Sequence, residues 1–154
     1  MTTELHLRVD DIPPSTNGLY TVVHGRKILT KKGLAWKQRF IATRGGISAQ
    51  ELMQFRGDIE QEYDLDLWFY LSPERLYSAG YGTDKRVKYP FRNLDTSNLF
   101  KLMEDSIAEL TGLQGDRANF DIHAHKRPTA GSEFAIAHLV PSSCEEDPRC
   151  DWRT

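Results

Sequence analysis

The sequence contains no long apolar run: nowhere do the roughly 18 to 20 successive hydrophobic residues of a membrane-spanning helix occur. Its opening, Met1 to His6, lacks the basic start and apolar stretch of a secretory signal. Cysteine is scarce. Cys144 and Cys150 are the only two in 154 residues, both in the polar C-terminal stretch, too few for a disulfide scaffold. Together these absences predict a reduced, cytoplasmic protein with no membrane partner. An excess of one charge is missing too: 20 basic against 22 acidic residues leave a net charge of −2. Such a chain does not coat nucleic acid with its whole surface. A local basic face is compatible with that balance, because phosphate affinity follows where the charge sits.

No repeat and no linker divides the chain. With 39% hydrophobic and 27% charged residues it has the composition of a soluble globular domain, and its length suits one such domain. The reading is a domain over 1–140 followed by a polar, mobile tail over 141–154. Alternation predicts a strand at Leu5 to Val9, and residues 10–18 are rich in turn formers. Segments 19–23 and 27–30 read as a hairpin about His24-Gly25-Arg26. Lys31 to Thr43 reads as a helix with Leu34, Trp36, Phe40 and Ile41 as its apolar stripe, stopped by Gly45-Gly46. Ser48 to Phe55 suits a second, short helix.

Glu62 to Leu71 is strongly β-forming and suits a central strand, whereas 72–93 reads as a long loop. Leu99, Leu102, Met103, Ile107 and Leu110 then fall on one face of a helix, with Asp95, Thr96 or Ser97 to cap it and Gly112 to end it. Asn119 to Lys126 and Phe134 to Val140 read as strands. The fold class is α/β in the α+β sense: a small mixed sheet packed with two main helices.

Charge is patterned more informatively than it is balanced. Residues 26–44 carry seven basic side chains and no acid, and 85–92 carry four more, again with no acid. Such runs suit either a solvated face or a phosphate-binding surface. Carboxylates collect around the helix that begins near Asp95. Asp95 stands where the helix dipole favours an ionised group, Lys101 and Asp105 are one turn apart on a shared face, and Asp116 lies in the turn that follows. Carboxylates from loop ends and helix starts suit Mg²⁺, which keeps oxygen ligands and water. A helix cap and a surface ion pair account for the same residues without a metal.

Asp95-x-Ser97-Asn98-Leu99-x-Lys101, then Asp105, then Asp116, resembles the central signature of the RusA family of Holliday junction resolvases. That signature runs Asp-x-Asp-Asn-Leu-x-Lys, an Asp four residues on, and a later Asp-Asp pair. The N-terminal third is similar as well: Ile12-Pro13-Pro14-Ser15-x-Asn17, Gly25-Arg26, and Thr30-Lys31 before the first helix. The resemblance covers about residues 5–140. It implies a homodimeric endodeoxyribonuclease of a bacterial or phage-infected cell that cuts branched DNA by attack of metal-activated water, with Mg²⁺ as cofactor and Mn²⁺ able to substitute. Asp95 and Asp116 are then the metal-binding catalytic carboxylates, and Lys101 is the positive charge at the cleaved phosphate.

Two positions depart from the family: Ser97 replaces its second Asp, and Gly115 the first Asp of the later pair. Ser97 then offers a hydroxyl in the metal set, with Asp105 or Asp121 as a source of the missing oxygen. A binding module that cuts weakly is the alternative. Under the resemblance Lys31, Lys32, Lys37, Lys85, Arg86 and Lys88 become the DNA-binding surface, with Trp36, Tyr77, Tyr81 and Tyr89 as stacking or packing residues. Asp121, His123 and His125 alternate along one predicted strand and suit either its outer face or a zinc site.

Overall fold

A computed structural model describes residues 2–15, 19–58, 60–113 and 119–142. Within them, strict alternation builds a four-stranded sheet. Its strands are β1 (Leu5–Val9), β4 (Tyr63–Leu71), β5 (Asn119–Pro128) and β6 (Phe134–Pro141), in the spatial order β1-β6-β4-β5. β6 runs antiparallel to both β1 and β4, while β4 and β5 are parallel. A parallel pair needs a crossover, and α4 (Ser97–Thr111) lies in the connection that supplies it. The segment read as a central strand is central, flanked by β6 and β5. A separate hairpin joins β2 (Tyr20–Val23) to β3 (Arg26–Leu29), with His24 and Gly25 both at positive φ in its turn.

Every second residue of the sheet faces the helices. Leu65, Leu67, Phe69, Leu71, Leu7, Ala137 and Leu139 are buried there against Leu99, Leu102, Met103 and Ile107 of α4. Each large apolar side chain so buried contributes about 1.5–3 kcal/mol relative to exposure. Trp36 and Phe40 of α1 (Lys31–Ala42) join the same core, their rings stacked 5.4 Å apart. Trp36 is therefore a packing residue and not a stacking platform for bases.

Local signals set the helix ends. The Thr30 hydroxyl accepts from the Gly33 N–H at 3.2 Å to start α1. Ser48 and Glu51 form a capping box on α2 (Ala49–Gln54), and Gly112 ends α4 in the left-handed conformation. Between α1 and α2, Arg44–Gly46 makes a 3₁₀ turn that passes over β1.

The long loop is more ordered than its composition suggests. It opens with a single helical turn, α3 (Pro73–Leu76), that the sequence did not announce. Its neck is then closed by a Tyr77–Phe91 bridge and by hydrogen bonds from Ser78 to Pro90 and from Arg92 to Leu76, each 2.9 Å. Glu133 fastens its base, accepting from the Ser72 N–H and the Arg75 guanidinium at 2.8 Å each.

Gly46 is the tightest backbone approach. It sits at φ +87°, and a Cβ there would lie 2.0 Å from the Arg8 carbonyl oxygen. Gly82, at φ +90°, faces open space. Gly46→Ala is expected to cost more than about 2 kcal/mol and Gly82→Ala about 1 kcal/mol, as read from urea-unfolding midpoints.

Candidate functional site

Packing the apolar stripe of α4 onto the sheet turns its other residues outward, and these carry the charged groups. Asp95, just ahead of the helix, is exposed, and its Oδ1 accepts from the Ser97 N–H at 3.0 Å. That bond, the Ser97 hydroxyl and the charge of Lys126 hold its carboxyl below the usual range, so Asp95 is ionised at neutral pH. Lys126, from the end of β5, donates to the Leu94 carbonyl at 2.7 Å and fixes the approach to the helix.

Lys101 lies one turn further on. Its Nζ stands 3.3 Å from Asp105 Oδ1, as the spacing predicts, and 3.5 Å from Glu104 Oε1. The ammonium thus reaches to the two acids three and four residues further along the helix. The other Asp105 oxygen accepts from the Tyr20 hydroxyl at 3.4 Å, which ties the hairpin to α4. Burial and the neighbouring Asp105 raise the Tyr20 pKa, keeping the phenol protonated as that donor.

Glu104 is the residue the sequence reading passed over. It is 2% exposed, and burial raises its pKa above the usual carboxylate range against the opposing pull of Lys101. Asn119, at the start of β5, reaches its Oε2 at 3.5 Å. The signal was present: Glu104 follows Phe100 by four residues and precedes Ile107 by three, so it shares a face with two apolar side chains.

Asp116 and Gly115 lie outside the described residues. Among the described residues no three carboxylate, imidazole or thiolate groups gather in a way that could hold a metal ion. Asp95 is by itself the kind of ligand Mg²⁺ takes: ionised, exposed and beside a hydroxyl. Asp105 fits less well, since both its oxygens are engaged by Lys101 and Tyr20. Asp121 pairs in register with Asp64 on the sheet face turned away from α4, and therefore cannot supply the oxygen Ser97 lacks. His123 and His125 share that far face, where His125 stacks on Trp68 at 5.2 Å. The outer-strand reading of those residues fits this placement.

The basic residues divide into two groups. Lys37 closes on Glu109 across the α1–α4 contact, and Arg86 forks onto Asp84 at 3.0 and 3.1 Å. Among the described residues, Lys31, Lys32, Lys85 and Lys88 are exposed and have no carboxylate within ion-pair distance. Lys31 and Lys32 open α1, whose first turn holds no acid. Two cations at the positive pole of a helix are unfavourable by a few tenths of a kcal/mol each, roughly, and concentrate positive potential there. Tyr77, Tyr81 and Tyr89 are exposed around the long loop.

A scan against protein-family models finds no family that matches the chain, and a search of curated proteins finds no match either.

The buried Glu104 carboxyl has a measurable consequence. Its raised pKa means that the folded state resists ionisation, so stability is lost as pH rises above the unfolded carboxylate value. Glu104→Gln is expected to raise the unfolding temperature at pH 7 by about 2–4 °C, corresponding to about 1 kcal/mol. The gain should vanish near pH 4, where the acid is protonated in both states; differential scanning fluorimetry across pH reads both.

Proposed function

We propose that the protein is a Mg²⁺-dependent endodeoxyribonuclease that cleaves branched DNA such as four-way junctions, acts as a homodimer, and works in the cytoplasm of a bacterial or phage-infected cell. The observation that carries this reading is the order of groups along α4. An ionised, exposed Asp95 precedes a helix whose outward face carries Ser97 and Lys101 in the spacing of the RusA signature. The RusA-like opening, Ile12 to Ser15, and the Thr30 cap beside Lys31 and Lys32 support it from a second part of the chain.

In this reading Asp95 and Asp116 hold the ion, with the Ser97 hydroxyl beside them. The bound ion supplies an activated water and neutralises phosphate charge; Mn²⁺ substitutes for it. Ser97 orients the Asp95 carboxylate through its N–H and hydroxyl. Lys101 rests on Glu104 and Asp105, and an arriving phosphate competes with those carboxylates for its ammonium. Lys31, Lys32, Lys85 and Lys88 bind phosphates without reading sequence, which suits recognition of branched shape. Lys37 and Arg86, already paired with acids, contribute less.

Cleavage of an end-labelled four-way junction with and without Mg²⁺ tests the reading. Asp95→Asn is expected to reduce cleavage by about a hundredfold or more while leaving binding in place; wild-type cleavage by this variant would refute the assignment. Replacing Lys31 and Lys32 together by Ala should weaken junction binding and lower the salt slope by about 2, as read by fluorescence anisotropy over a salt series.

A second reading is favoured by Ser97, whose hydroxyl is bonded to Asp95 where the family places a carboxylate. There the chain holds junctions or forks and cuts them weakly. Junction binding without nicking in either metal identifies that case, and Ser97→Asp should then bring cleavage up if the missing carboxylate is the cause.

A further inference from the structure

All buried side chains that the described helices contribute pack on one side of the four-stranded sheet, and no described element packs on the other. That open side is organised by charge along the strand direction. At one end, Asp64 and Asp121 pair in register on β4 and β5, with Asp66 next along β4. Asp64 Oδ1 is buried there without a hydrogen-bond partner among the described residues. At the other end stand two arginines. Arg8 of β1, paired with Asp10 at 3.5 Å, lies 4.0 Å over the Phe134 ring, and Arg127 of β5, the cation on which the polarity of this end rests, pairs in register with Tyr70. Between the ends is an aromatic band in which Trp68 stacks on His125 at 5.2 Å and meets His138 at 5.0 Å.

A surface of this kind is complementary to itself when reversed. A two-fold axis parallel to the sheet and midway between two facing copies, crossing the strands over Leu67, carries the acidic end of β5 in one copy onto the basic end of β5 in the other. Asp121 then lies over the other copy's Arg127, and the two aromatic bands meet at the centre. Such mutual contact of one patch is the geometry of a closed, isologous pair. Nucleic acid is a poorer occupant, because the carboxylates at one end repel phosphate and the unpaired lysines lie on other elements. Nine residues of β4 and the widths of four strands give a footprint of about 30 by 19 Å, under the roughly 800 Å² per partner of a standard interface.

We propose that a second copy of this chain docks on the open sheet face with its strands reversed, Asp121 of each copy against Arg127 of the other. The inference deepens the homodimer of the reading above. Its test needs no DNA, so sedimentation judges this surface and the cleavage assay judges the nuclease reading separately.

Sedimentation equilibrium of the full chain at low salt is expected to show a concentration-dependent dimer. Asp121→Arg and Arg127→Glu should each weaken it by roughly tenfold or more, and the two together should bring it back to within a few-fold of wild type. Restoration by the second change excludes simple unfolding as the cause of the first. A chain that stays monomeric at every concentration overturns the proposal. So does a double variant as weak as the single ones, or a dimer indifferent to both swaps but broken by Ile28→Asp in the hairpin. Single-stranded DNA binding that Trp68→Ala abolishes, with no dimer present, assigns the face to nucleic acid and overturns it as well.

Discussion

The fold depends on burial of one helical stripe, Leu99, Leu102, Met103 and Ile107 of α4, against the inward side chains of β1, β6 and β4. A sheet of this size has two faces to satisfy, and among the described elements only one face receives helices. That single choice fixes the orientation of everything else. It turns Asp95, Ser97 and Lys101 toward solvent, brings the hairpin to Asp105 through Tyr20, and leaves the outer residues of four strands without a covering helix among the described residues. The polar groups of α4 are therefore displayed by the same contact that makes the core.

Placement of the ionic groups separates those that hold the structure from those that remain outward. Lys37–Glu109 and Arg75–Glu133 join elements distant in sequence, and Arg86–Asp84 stiffens a turn within the long loop. Surface pairs of this kind contribute at most about 1 kcal/mol each, so their structural meaning is local order more than stability. Among the described residues the lysines at the start of α1 and in the loop have no such partners, and Lys31 and Lys32 stand at the positive pole of a helix. Glu104 is the opposite case. It is an acid drawn into the core margin, and its burial makes Lys101 answer to two carboxylates instead of the one that helical spacing announces.

Much of the architecture was legible in the residues themselves. The alternation of Tyr63 to Leu71 marked a central strand, the stripe from Leu99 to Leu110 marked α4, and Gly112 and Thr30 marked helix ends, because each of these is decided by neighbours within a few positions. The long loop was less transparent. Nothing in its composition distinguishes α3 or the Tyr77–Phe91 bridge from unstructured chain, since that closure comes from contacts across fourteen residues. The candidate site was read well along one helix and poorly across elements. Lys101–Asp105 followed from spacing. The shared outer face of Asp121, His123 and His125 followed from their alternation, whereas the pairing of Lys37 with Glu109 did not follow from any local spacing.

The sequence by itself determined which long segments are strands and helices, which side of each is apolar, and that Asp95, Lys101 and Asp105 keep company on or beside one helix. These are properties of period and nearest neighbours, and a chain carries them before it folds. Tertiary structure alone decided the strand order β1-β6-β4-β5, the burial of Glu104, and the division of the basic residues into paired and unpaired. It also decided which face of the sheet the described helices cover. The physical reason is that these outcomes depend on how far apart residues lie in space, and that distance is set by which apolar surfaces find one another during collapse.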